Sequence, residues 1–260
     1  MNAFDLSLRE HADSFHAARA TGGLQARLVA EAFGDEYPAQ VEPSSSCTWS
    51  VLGEMVRWLR LRPDDLLVDL GCGRGGTGLW LARAFSARLV GVDFSPTGIE
   101  LAAGRAAAFL PEGRATFQVA TFERTGLPDA CAHGVVSMDA LPFATDRDAA
   151  VHELARILRP GARAVFTVAE RLPSHPDYDP HAPTWRTRIA EAGLQLEAEL
   201  ERPEEPGLWF RLYDLWEQQE AELRAEIGDE ATDQVLIEAR AMRSNVNDRR
   251  SLLLTVRAPQ

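Results

Sequence analysis

The sequence predicts an α/β domain, a mostly parallel sheet with helices on both faces, and three observations carry that prediction. Residues 66–94, LLVDLGCGRGGTGLWLARAFSARLVGVDF, read as strand, glycine-rich turn, helix and strand. Apolar runs of strand length then alternate with helix-period segments as far as Glu170. The chain has 260 residues, 45% of them hydrophobic, which is enough to bury one large α/β core, and we expect one domain over residues 1–260.

Taken in order, residues 1–39 have a helical pattern, with apolar positions at Phe4, Leu8, Phe15, Leu24, Leu28 and Phe33 and breaks at Thr21-Gly22-Gly23 and Gly34-Asp35. We expect residues 1–45 to form a helical cover. A serine and threonine cluster then caps a helix from about Trp49 to Leu61. This opens a ligand-binding core over residues 49–202. A strand ends at Asp69, the turn carries Gly71, Gly73, Gly75 and Gly76, a helix covers Leu79 to Phe85, and a second strand ends at Asp93. Ser95 caps the next helix, with Pro96 at its first position, and that helix runs to about Phe109. Ala115 to Ala120 reads as the third strand and Gly134 to Met138 as the fourth. A helix from Asp146 to Leu158 is expected to be capped by Thr145. After the fifth strand come a short helix, Trp185 to Ala192, and a strand, Leu194 to Leu200. An insertion, Pro203 to Arg249, reads as two helices parted near Gly228-Asp229, and Ser251 to Arg257 is the last strand.

The glycines let the turn bend sharply against a ligand with no Cβ in the way, and the helix beginning there points unpaired N–H groups at it. Asp93, at a strand end, is placed to accept both hydroxyls of a ribose. The pattern Gly71-x-Gly73-x-x-Gly76 also satisfies the dinucleotide fingerprint. Three details favour S-adenosylmethionine over NAD: the acid Asp69 before the turn, the motif's position well inside the chain, and Phe94-Ser95-Pro96 after Asp93. The segment resembles the first motifs of the class I S-adenosylmethionine-dependent methyltransferases, and LARILRPGARAVFTVAE (Leu154 to Glu170) matches that family's helix, turn and fifth strand. The resemblance points to the small-molecule branch, which includes quinone, sterol and natural-product methyltransferases.

It implies a Rossmann-like seven-stranded sheet with an antiparallel last strand and S-adenosyl-L-methionine as cofactor, leaving S-adenosyl-L-homocysteine as product. It also implies that Asp69 organises the methionine end, that Gly71, Cys72 and Gly73 pack against the cofactor, and that Asp93, followed by Phe94, holds the ribose. Thr48 is either a contact to the methionine carboxylate or a plain helix cap. Met138 stands at the ligand-side end of the fourth strand. Where the family has an acid for the adenine amino group, this chain has Thr121-Phe122. The Thr121 hydroxyl and the Phe122 N–H are the expected substitutes.

All 27 basic residues are arginine, which excludes Schiff-base chemistry and a P-loop lysine. A net charge of −12 opposes nucleic acid as a partner. Cys47, Cys72 and Cys131 lack CxxC spacing and read as free thiols, and no residue spacing suggests a metal. The chain has no membrane-length apolar run and no leader pattern, so a cytoplasmic monomer or homodimer acting on a small molecule is expected. Ala140-Leu141-Pro142-Phe143 offers no side-chain amide of the kind amino-directed methyltransferases use, which points to an oxygen or carbon of a largely apolar metabolite.

A base for such an acceptor would be His175 or, second, Asp139, with His181, Tyr37 and His16 as further candidates. His133 and His152 read as structural. The acceptor wall is expected from Tyr37, Phe143, His181, Trp209 and Tyr213. Trp209, Tyr213 and Trp216 share one helix face, which either lines a pocket or simply packs. Two other functions fit the cofactor motifs: a non-methylating S-adenosylmethionine binder or cyclase, and an NAD-linked oxidoreductase.

Overall fold

In the computed structural model, which describes Ala12, Asp13, His16 and residues 23–243 and 246–260, β1 (Leu66–Leu70) runs through the middle of a sheet. Leu67, Val68 and Leu70 are buried on alternate faces, as a strand covered on both sides requires. The other strands are β2 (Arg88–Asp93), β3 (Ala115–Val119), β4 (Ala132–Ser137), β5 (Leu158–Arg171), β6 (Gln195–Glu201) and β7 (Arg249–Arg257). Their order is β3-β2-β1-β4-β5-β7-β6, parallel from β3 to β5, with β7 antiparallel to both its neighbours. This is the expected seven-stranded sheet.

One face buries Val68, Val135 and Phe166 against α5 (Arg147–Ile157) and α6 (Trp185–Glu191). The other buries Leu67, Val136, Val165 and Leu253 against α2 (Trp49–Leu59) and α3 (Gly76–Phe85). Between β2 and β3 lies α4 (Pro96–Arg105), capped by the Ser95 hydroxyl, which accepts the Gly98 N–H at 2.9 Å.

A third cluster belongs to helices alone. In it α1 (Gly23–Phe33) packs Leu24, Leu28 and Phe33 against α7 (Glu205–Gln218), α8 (Glu220–Ile227) and α9 (Asp229–Arg243). Arg211 Nε donates to the Ala32 carbonyl at 2.7 Å, joining α7 to α1. The helical reading of residues 1–22 lies outside the described residues except at Ala12, Asp13 and His16.

The insertion has three helices where the sequence predicts two, because Gln219 (φ −110°, ψ 31°) leaves helical geometry. Trp216 and Leu223 are seven residues apart and both buried in the helical core, so the apolar period runs across the break and conceals it. The cap of α5 is Asp146, not Thr145: its carboxylate accepts the N–H groups of Asp148 and Ala149, each at 3.0 Å. Paired strands β5 and β7 extend to Arg171 opposite Arg249, farther than their apolar runs indicate.

Candidate active site

The carboxyl ends of β1, β2 and β4 converge on the glycine turn. Leaving β1, the chain crosses to β2, where Gly71 and Cys72 donate to the Val92 carbonyl at 2.8 and 3.1 Å. Gly71, Gly73 and Gly75 all have positive φ (73°, 49° and 78°), a region costly for residues with a Cβ. A Cβ on Gly71 would lie 2.3 Å from the Ala140 Cβ.

The turn delivers the start of α3, where the Gly78 N–H donates to Asp69 Oδ2 at 3.0 Å. Asp69 is 2% exposed. Burial, only partly offset by the Gly78 N–H and reinforced by Asp93, pushes its pKa up to about 7. Asp93, at the end of β2, accepts the Gly73 N–H at 2.7 Å and the Ser95 N–H at 2.9 Å, one on each oxygen. Burial, helped by the Asp13 charge, also raises its pKa, against the pull of the Ser95, Gly73 and Phe94 amides. Each carboxylate oxygen has a second lone pair, so Asp93 retains capacity for two hydroxyl donors.

Beside Asp93 lies a narrow cleft lined by Gly71, Val92, Asp93, Phe94, Ala120, Thr121 and Phe122. The sequence-predicted Gly71, Asp93, Phe94, Thr121 and Phe122 therefore share one wall, and Gly73 is tied to it through Asp93. The Phe122 ring, more than its N–H, shapes the cleft, coming within 3.0 Å of where a Gly71 Cβ would stand. Cys72 contributes through its backbone, since its buried sulfur is turned onto β2 at Gly91. From the N-terminal side, Asp13 accepts the Ser95 hydroxyl and the Thr97 N–H, and the His16 ring stands over Gly73 and Gly98.

At the end of β4 the arrangement is different. Met138 is buried and Asp139 takes a left-handed conformation, φ 51°. The Asp139 carboxylate accepts the N–H and hydroxyl of Ser46, both at 2.6 Å, and the hydroxyl of Thr167 at 2.8 Å. Ser46 is also gripped by Arg202, which donates to its hydroxyl at 3.0 Å and its carbonyl at 2.6 Å. Next to it the Cys47 thiol is hydrogen-bonded to Thr77 and lies within electrostatic reach of Asp139, Arg202 and Asp69; burial pushes its pKa up to about 12.

Residues 67–161 match a family model described as a methyltransferase domain. This segment is a methyltransferase domain. The chain is 29% identical over 140 residues to the O-methyltransferase cnsE of Penicillium expansum, covering 52% of this chain and 50% of that one. It is 30% identical over 131 residues to the 27-O-demethylrifamycin SV methyltransferase of Amycolatopsis mediterranei, covering 50% and 47%. The chain thus spans about half the length of these curated relatives. A solved structure, that of the 4+2 cyclase SpnF, superposes with a TM-score of 0.65 at 18% identity, covering 81% of this chain and 80% of that one. At that identity the likeness concerns the fold, which the methyltransferase domain shares.

Several sequence-predicted residues lie away from the cleft of the methyltransferase domain or are occupied otherwise. Beyond Phe166, which pairs with Ser137, β5 continues for five residues, roughly 16 Å of strand, before the loop of His175 and His181 begins. There the His175 ring accepts the Asp177 N–H at 3.0 Å, and His181 is exposed with its N–H on Asp179. Asp139, expected as a base, already accepts three hydrogen bonds. Thr48 is the cap of α2, accepting the Val51 N–H at 3.2 Å. Phe143 is 68% exposed. Tyr37 packs edge-on to Phe33 near Glu42, Arg74 and Arg105, where burial raises its pKa.

The expected aromatic wall is corrected in one respect. Tyr213 and Trp216 are buried in the helical core, so that face packs; only Trp209, stacked on Tyr213 with ring centroids 6.0 Å apart, is partly exposed. His133 accepts the Leu66 N–H at 3.1 Å, and exposed His152 bonds the Asp148 carbonyl at 2.8 Å. Ser46, Thr167 and Arg202 escaped the sequence reading, having no shared spacing. Among the described residues no cluster of histidine, cysteine and acids could hold a metal, and no helix is long and apolar enough to cross a membrane.

Proposed function

We propose that the protein transfers a methyl group from S-adenosyl-L-methionine to an oxygen or carbon of a small metabolite. The observation that carries this is the pairing of Asp93 with Gly73 at the edge of the Phe122 cleft. A strand-end carboxylate with two lone pairs left over suits the two hydroxyls of a ribose, and the positive-φ glycines leave room for a ligand against the backbone. Asp69 is a buried carboxyl with one hydrogen bond, so an ammonium group beside it would hold it ionised.

In this reading Asp93 orients the ribose, Phe122 and Phe94 flank the base with the Thr121 hydroxyl at its edge, and Asp69 faces the methionine amino group. The cofactor supplies a methyl group already activated on a sulfonium. The chain's part is to align an acceptor for in-line attack and exclude water, which the buried Cys47 and Met138 side of the site favours. The net charge of −12 supports a small-molecule acceptor over nucleic acid, and we place the protein in the cytoplasm as a monomer or homodimer.

Calorimetry with S-adenosylmethionine, S-adenosylhomocysteine and NAD tests the cofactor, and transfer of labelled methyl to a panel of hydroxyl-bearing metabolites tests the reaction. Binding of NAD alone overturns the assignment. Binding of S-adenosylmethionine with no label transferred to any acceptor would assign the protein to the non-methylating readings.

A further inference from the structure

The sheet face that carries Leu67, Val136, Val165 and Leu253 turns polar toward the far end of β5. Register sets Thr167 opposite Leu253, Ala169 opposite Ser251 and Arg171 opposite Arg249, so Ser251 and Arg249 follow Leu253 on the same face. The Arg202 N–H donates to the Ser251 carbonyl at 2.8 Å, which brings Arg202 alongside. Ser251 donates to Glu205 Oε2 at 2.6 Å, and Arg249 pairs with Glu205 Oε1 at 3.3 Å. Arg202 reaches the other way, to Ser46 and through it to Asp139. A belt of polar groups, most of them buried, thus runs from Asp139 to the foot of α7.

Burying a charge is costly unless it is paired. Glu205 is paired, by Arg249, Ser251 and the Trp209 indole N–H at 2.5 Å. Arg202 differs. It is 3% exposed, and among the described residues it makes no ion pair and its guanidinium donates only to neutral oxygens of Ser46. Among the described residues its Nε–H has no partner. One serine hydroxyl separates its charge from Asp139, whose carboxylate accepts Ser46 and Thr167. Arg202 grips Ser46, the chain neighbour of Cys47, whose thiol is hydrogen-bonded to Thr77 in the first turn of α3.

We propose that Arg202 recognises the methyl acceptor, and that the acceptor carries an ionised oxygen: a phenolate, enolate or carboxylate. This rests on the methyltransferase reading and narrows its substrate class, replacing a largely apolar acceptor by one with an acidic oxygen. In the transfer, an oxygen lone pair forms the new O–CH3 bond while the C–S bond breaks and its electron pair stays on sulfur. An anion and a sulfonium become two neutral products, and no proton moves. That suits a site in which the Asp139 carboxylate is held by Ser46 and Thr167. Reaching so buried a donor requires the Ser46 segment to swing aside.

The test uses protein loaded with S-adenosylhomocysteine and the probe pairs salicylate with salicylamide and 4-nitrophenol with 4-nitroanisole. The ionised member should bind at least about tenfold more tightly than its neutral partner, and in Arg202→Gln that ratio should fall to near one. In the wild type, 4-nitrophenol affinity should follow the probe's own ionisation with pH, a measurement that stands even if the variant does not fold. Equal binding of both members, no binding of the acids, or a preference that survives in Arg202→Gln overturns the proposal. A lower melting temperature with the preference intact assigns Arg202 to packing. Cofactor affinity, measured separately without probe, reports failure of the methyltransferase reading on its own.

Discussion

The Gly73 N–H donates to Asp93 Oδ2 at 2.7 Å, so the last residue of β2 sets the shape of the turn that follows β1. Asp93→Ala should weaken S-adenosylmethionine binding at least about tenfold and also destabilise the protein without ligand. Two backbone donors, on Gly73 and Ser95, lose their acceptor, at ~1–3 kcal/mol for each left unsatisfied. Asp93→Asn, which keeps one acceptor oxygen, should fall between. Calorimetry and denaturant titration of the same samples check both effects; undiminished affinity would place the ribose elsewhere.

Asp69 gives a pH signature. Its folded pKa of about 7 lies above the unfolded value near 3.9. Between the two, the folded protein holds a proton that the unfolded chain has released, so this group's contribution falls as pH rises from about 4 to about 7. The loss amounts to roughly 4 kcal/mol by linkage. Asp69→Asn should remove that slope, so the variant without ligand should gain on the wild type between pH 5 and pH 8. Cofactor affinity should move oppositely in the wild type, rising through pH 7 as Asp69 ionises against the ammonium group, and should be flat in Asp69→Asn.

Gly71 has φ 73°, and its missing Cβ would collide with Ala140. Gly71→Ala should cost ~1–2 kcal/mol from backbone strain alone and close the cleft to the cofactor. Combining it with Ala140→Gly should recover part of the binding but none of the backbone strain. Full recovery in the double variant would mean that the collision, and not φ, determines the glycine.

Tyr213 is 2% exposed in the core shared by α1, α7 and α9. Tyr213→Ala should destabilise the protein by ~3–5 kcal/mol, the range for large aromatic truncations, and leave acceptor preference unchanged in the protein that remains folded. A change in preference without a change in melting temperature would restore the pocket reading of that face.

The cofactor side of the site was legible because its signals are local. A glycine at a positive-φ turn, an acid at a strand end and a Ser-Pro helix start are each written in a few adjacent residues, and Gly71, Asp93 and Ser95 occupy the places those signals imply. The cluster at the end of β4 joins Ser46, Asp139, Thr167 and Arg202, which no interval in the chain relates. Asp139 shows the limit from another direction: its position at the end of β4 could be read, but its left-handed backbone and its three donors depend on segments 93 residues before it and 28 after it. Periodicity showed that Trp209, Tyr213 and Trp216 share a face. It carries no information on whether protein or ligand covers that face, and here α1, from the opposite end of the chain, does.

Strand β7 is the last strand in chain order, yet it lies in the interior of the sheet, between β5 and β6. While the chain is being synthesised, β1 to β5 can assemble as soon as Arg171 has emerged, because each pairs with a strand already made. The edge of β5 then stands open, and β6 has no partner until Arg249–Arg257 arrives and joins both. The helices of residues 205–243 emerge during that interval, ahead of the strand that closes the sheet beneath them. The placement of Arg202 against Ser251 therefore waits on residues 249–257, and an exposed parallel edge of this kind is where a nascent chain is most open to pairing with a neighbour.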